Sequence, residues 1–219
     1  MEFLMQIVDI FLHVDKHLKD LIEHYGAWTY GILFLIIFME TGFVVTPFLP
    51  GDSLLFAAGA FAALGSFDFA TLFFLLWFAA VAGDNVNYWI GRTVGKRAFQ
   101  MENNKFFKKE YLDRTQAFYN KHGGKTLVIA RFMPIVRTFA PFVAGVGKME
   151  YPRFLAFSVG GGLLWMGLFI SAGYFFGNIP VVKSNLKLVL LGIIAVSVLP
   201  AVIEAFKHRQ RSRAAQAAE

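Results

Sequence analysis

Four ionisable residues stand in apolar surroundings: Glu40 and Asp52 within METGFVVTPFLPGDSLLFAAG (39–59), and Arg131 and Arg137 within ARFMPIVRTFAPFVAG (130–145). A charge at bilayer depth costs ~2.5 kcal/mol or more, so such residues face a cavity or a partner. Two carboxylates against two guanidiniums can pair, which lowers the cost of burying each. Arginine also presents a fixed fork of donors that suits phosphate. Phosphate capture by Arg131 and Arg137, with Glu40 and Asp52 as paired, proton-carrying groups, is the chemistry these types make available. The duller alternative is two structural salt bridges that pin the segments together. Asp84, Tyr88 and Arg92 recur at helical spacing, as either a relay toward water or the polar end of a helix.

Other chemistries lack their residues. Cysteine is absent, which excludes disulfides, thiolate nucleophiles and Cys-ligated metal. His13 and His17, four apart, have no third ligand nearby, so no metal and no cofactor is expected. No zinc-protease, nucleophile-elbow or phosphate-loop motif occurs, and the chain reads as a non-enzyme. His122 is the one histidine available to a lipid phosphatase.

The elements that must position the four charges are membrane elements. The chain has 219 residues, 57% hydrophobic and 16% charged, too apolar for a soluble domain of this size. Residues 1–24 form an amphipathic interfacial helix, net acidic and placed outside. Residues 25–64 and 124–147 are apolar but broken, at Pro47, Pro50 and Gly51 and at Pro134 and Pro141. Proline breaks helices, and broken backbone at membrane depth survives only against protein or a watery cavity. Each broken segment is therefore expected to enter the bilayer, turn and return. Spanning helices are expected at 67–91, 154–177 and 186–206. Residues 92–125 carry nine Lys/Arg against three acids, so this surface segment and the basic tail 207–219 are placed in the cytoplasm. The +6 net charge fits anionic lipid better than nucleic acid. No cleavable signal peptide is expected, because Glu2, Asp9 and Asp15 replace a basic leader.

Broken segment then span occurs twice, each broken segment ending in Ala-Gly (58–59, 144–145) and each span in Gly-x-x-x-Gly (91–95, 173–177). Both basic segments share a side if the broken segments enter from opposite faces. The expected fold is thus all-α and integral to the membrane, an inverted repeat with the site where the broken helices meet.

Several blocks carry a resemblance: ETGFVVTPFLPGDSLLFAAG, GDNVNYWIGR (83–92), KHGGKT (121–126), ARFMPIVRTFAPFVAGVGKM (130–149) and AGYFFG (172–177). They resemble the bacterial DedA family, whose shared region is also called the SNARE-associated or VTT domain. The resemblance runs over nearly the whole chain. It implies an inner-membrane protein with two facing re-entrant hairpins, and an acid pair and arginine pair that fall on Glu40, Asp52, Arg131 and Arg137. Family members are implicated in returning undecaprenyl phosphate to the cytoplasmic leaflet, eukaryotic relatives in scrambling lipid, and others in proton motive force. The function expected from this is proton-linked flipping of undecaprenyl phosphate or related anionic lipid, by a monomer or homo-oligomer. The small residues Ala57–Gly59 and Gly160–Gly162 are expected to leave room for the headgroup path, and Gly160, Gly161, Gly162 and Gly167 to allow close helix packing. A small-cation antiporter or a non-transporting scaffold are the alternatives.

Overall fold

A computed structural model describes residues 14–43, 51–98, 123–177, 179–185, 188–189 and 191–193. The described residues form helices α1 (Val14–Tyr25), α2 (Trp28–Gly42), α3 (Gly51–Ala63), α4 (Phe69–Ala98), α5 (Lys125–Ala130), α6 (Pro134–Val146), α7 (Tyr151–Gly177) and α8 (Pro180–Ser184), with no strand. The expected turn residues Pro47 and Pro50, the surface segment 99–122, His13 and the basic tail lie outside the described residues, as does most of the expected last span.

Among the described residues two helices are long and apolar enough to cross a membrane, with spans at Phe69–Thr93 in α4 and Tyr151–Gly177 in α7. Only 33% and 39% of their most apolar windows are buried, whereas the core helix of a soluble protein would be mostly covered. Phe74, Phe78, Leu164, Leu168 and Phe175 face outward instead. An apolar exterior of this kind is suited to lipid. α4 continues to Ala98, past the boundary expected at 91, since nothing between Arg92 and Ala98 breaks a helix except Gly95.

α4 and α7 are antiparallel. Tyr88 and Trp89 near the end of α4 meet Tyr151 at the start of α7, while Phe69 opening α4 meets Tyr174 near the end of α7. The shorter apolar helices pack across this pair, α3 along α7 and α6 along α4. Glycines make both contacts close. A Cβ on Gly59 would overlap the Ile170 carbonyl, and one on Gly173 the Phe56 carbonyl. Likewise a Cβ on Gly145 would overlap the Tyr88 carbonyl, and one on Gly91 the Phe142 carbonyl. In every case the carbonyl belongs to the residue three before the reciprocal glycine, so the two seams have the same construction. Of the glycines expected to pack closely in α7, Gly161 and Gly162 do, whereas Gly160 and Gly167 have nothing described within 4 Å.

α1 is more than a surface helix: Leu18 is fully buried in the core, and the Thr29 hydroxyl donates to the Leu21 carbonyl at 3.0 Å. Tyr30 at the start of α2 packs on Phe67 at 5.0 Å, so α2 and the end of α3 share one end of the molecule. The start of α5 and the end of α6 share the other, around Gly123, Gly124 and Gly147.

Candidate functional site

The site forms where the end of α2 approaches the starts of α3 and α6. Glu40 lies in the last turn of α2 and is fully buried. It sits against Gly51, where any Cβ would collide with its carboxylate, so glycine is needed there for space. Asp52 occupies the first turn of α3, where the exposed N–H groups of a helix start favour negative charge. α6 begins with Pro134 at its first position after an extended Met133 (φ −119°, ψ 105°), a place where the missing N–H is harmless. Pro141 is buried inside α6 and cannot donate to the carbonyl four residues earlier, that of Arg137. The helix is thus irregular at the arginine that matters.

Arg137 holds both acids of the first broken segment. Its Nη2 donates to Glu40, and its Nη1 donates to Asp52 Oδ1 at 2.8 Å. Arg131 does not join them. It donates to Asp84 on α4, and to the Ser158 carbonyl at 3.1 Å on α7, while the Ser158 hydroxyl donates to Asp84 at 2.6 Å. The expected pairing of two acids with two arginines is corrected in its partition. Arg131 ends α5 facing α4 and α7, whereas only Arg137 faces the ends of α2 and α3, so a third acid is needed for Arg131.

Trp165 stands between the two halves. Its indole donates to Asp52 Oδ1 at 2.9 Å, and its ring lies 5.4 Å from the Arg137 guanidinium and 5.9 Å from that of Arg131. Both distances fall within cation–π range. Asn87, fully buried, donates to the Thr41 carbonyl at 3.0 Å and the Thr138 carbonyl at 2.8 Å, tying α2 and α6 to α4. Asp84, Arg131, Arg137, Pro141 and Trp165 line one small cavity of about 10 Å³, at the lower limit for a single water.

The expected relay divides. Asp84 belongs to the Arg131 pair, while the Tyr88 hydroxyl donates to the Met149 carbonyl at 2.6 Å and accepts from Arg92 at 2.5 Å. Among the described residues no hydrogen bond joins Asp84 to Tyr88. The small residues Ala57–Gly59, expected to leave room for a headgroup path, are instead buried against α7. Ser158, Trp165 and Asn87 escaped the sequence reading as partners. Ser158 and Trp165 stand two turns apart on one face of a charge-free span, which was the available signal. No group of three metal-ligating side chains occurs among the described residues.

The VTT domain profile matches residues 49–175. The chain is 56% identical over 219 residues to Protein DedA of Escherichia coli (strain K12), covering 99% of this chain and all of that one. It is 46% identical over 183 residues to an uncharacterized membrane protein of Mycobacterium leprae (strain TN), covering 83% and 82% of the two chains. Inner membrane protein YqjA of Escherichia coli (strain K12) is 36% identical over 152 residues, 69% of each chain. No solved structure matches.

Proposed function

The chain belongs to the VTT-domain, or DedA, family of membrane proteins, and from that premise we propose that it is an inner-membrane lipid transporter. Its substrate would be undecaprenyl phosphate, with other anionic lipids as secondary substrates. The observation that carries this reading is the shared cavity of Arg131 and Arg137, two nearly buried guanidiniums that line it together. A phosphate oxygen bridging them would replace the carboxylates that hold them at rest. The cavity is far too small for a headgroup, so the helices around it must part for a lipid to enter.

Protons enter through charge balance. Glu40, Asp52 and Asp84 outnumber Arg131 and Arg137 by one, and an arriving anion adds to that excess. Moving such a charge set into a low-dielectric cavity is prohibitive unless carboxylates take up protons. Uptake on binding and loss on release link the lipid to the proton gradient.

In this reading α2–α3 and α5–α6 are re-entrant hairpins of an inverted repeat that enter from opposite faces, with the C-terminus cytoplasmic. The like-built glycine seams and the opposite ends at which the two pairs open support that topology. Opening would move the α3–α7 body against the α4–α6 body, parting Arg137 from Asp52.

The acid excess also favours a second reading, a proton-coupled antiporter for small cations, in which the arginines only position acids. One experiment separates them. Protein in liposomes carrying labelled undecaprenyl phosphate in one leaflet is followed with and without a pH gradient, as wild type and as Arg137→Lys. Flipping by wild type, accelerated by the gradient and lost in Arg137→Lys, is expected, because a lysine cannot span two carboxylates or fork onto phosphate. No flipping by folded wild type overturns the lipid reading.

A further inference from the structure

Away from the central site, a cleft of about 170 Å³ opens where the start of α5 meets the end of α6. Gly123, Gly124 and Gly147 line it together with Val143 and Ala144, and Arg153 from the first turn of α7 stands beside Gly123.

The turn beside this cleft is unusual. The Met149 N–H bonds the Ala144 carbonyl at 2.9 Å and the Lys148 N–H bonds the Gly145 carbonyl at 3.0 Å, the paired bonds that close a helix through a left-handed residue. That residue is Lys148, at φ 55°. Glycine is the usual occupant, and an L-residue there is strained. A lysine is thus held in a costly conformation between Gly147 and Met149, both of which line the cleft. Arg92 comes to the same lining, its guanidinium 3.4 Å from the Met149 carbonyl. From 123 to 153 the one acid is Glu150.

The cleft also lies where the two candidate spans meet their ends. The α4 span ends at Thr93 and the α7 span begins at Tyr151. Trp89 and Tyr151 are partly exposed and 5.7 Å apart at this level, where amphipathic rings mark the headgroup layer.

We propose that this cleft binds the phosphate of an anionic membrane lipid from the adjoining leaflet, through Arg153 in its lining and with the charge of Lys148 beside that lining, as a peripheral station distinct from the buried arginines. A phosphate fits glycine backbone that allows close approach and a guanidinium that forks onto its oxygens. The acyl chains stay in the bilayer beside Trp89.

Native mass spectrometry of the full chain in a neutral detergent, titrated with dioctanoyl phosphatidylglycerol, tests this. One lipid should be retained in preference to dioctanoyl phosphatidylcholine. Arg153→Gln and Lys148→Gln should each weaken it about fivefold, the effect of one surface charge on an anionic headgroup. Both residues are exposed, and unchanged thermal unfolding should show that the variants fold. Equal retention of the zwitterionic lipid, or no effect of either substitution, overturns the site. Displacement by inorganic phosphate at matching concentrations overturns the lipid assignment and makes it a soluble-anion site. Binding is read without transport and without touching Arg137, so this result and the flipping result stand separately.

Discussion

The Trp165 indole donates to Asp52 across 2.9 Å, joining the middle of α7 to the first turn of α3 at the point where both guanidiniums reach the same ring. One side chain thereby orients an acid and borders two cations. Trp165→Phe keeps a ring but withdraws the donor, leaving a buried carboxylate oxygen one partner short. Thermal unfolding in detergent should show a loss of about 1–3 kcal/mol. Trp165→Ala should lose more, ~3–5 kcal/mol, because a cavity opens as well. Equal stability of wild type and Trp165→Phe would mean that the hydrogen bond contributes nothing.

The Asp84–Arg131 pair predicts a strong asymmetry between single and double substitutions. Asp84→Asn leaves a guanidinium nearly sealed from solvent with Ser158 and the Trp165 ring beside it but no counter-charge, and breaking one partner of a buried pair costs about 3–5 kcal/mol. Asp84→Leu with Arg131→Met removes both charges and should recover most of that. A double-mutant cycle on unfolding free energies measures the coupling. Strictly additive losses would contradict a direct pair.

The broken segments and their charges were legible because proline, glycine and acid in an apolar run conflict with an ordinary span. That conflict is local and needs no partner to be noticed. The partition of the charges was not legible. Whether Arg131 faces Glu40 or Asp84 depends on how α5 and α6 rotate about the break between them, and Arg131 and Arg137 differ only by their place relative to that break. Asp84 looked like the polar end of a span because it stands near Arg92, yet the helix carries it to the level of the buried arginine. The small residues were misread as space for a different reason. Composition tells that two backbones can approach, and only the packed structure tells that they have.

The glycine seams give a prediction with its own control. Gly91, Gly145, Gly59 and Gly173 each stand where a Cβ would overlap a backbone carbonyl on the facing helix, and backbone cannot step aside as a flexible side chain does. Alanine at any of the four should destabilise by about 1–3 kcal/mol through overpacking. Gly160→Ala and Gly167→Ala meet nothing within 4 Å in the same α7 helix and should be neutral or stabilise by up to about 1 kcal/mol. A common loss at all six positions would assign the glycines to flexibility rather than close approach.

Asp68 makes the last prediction, at the start of α4. Its carboxylate accepts from the Thr71 hydroxyl at 2.6 Å and the Thr71 N–H at 2.8 Å, capping the first turn of the span. Those two bonds hold its carboxyl below the ordinary 3.8. A depressed folded value means the ionised cap stabilises the helix above about pH 4, and that this contribution fades as pH falls below 3.8 and the group protonates. Asp68→Ala should therefore lower the thermal midpoint by a constant amount at neutral pH, and the gap to wild type should shrink on acidification. A gap that stays the same down to pH 3 would show that the charge on Asp68 does not contribute.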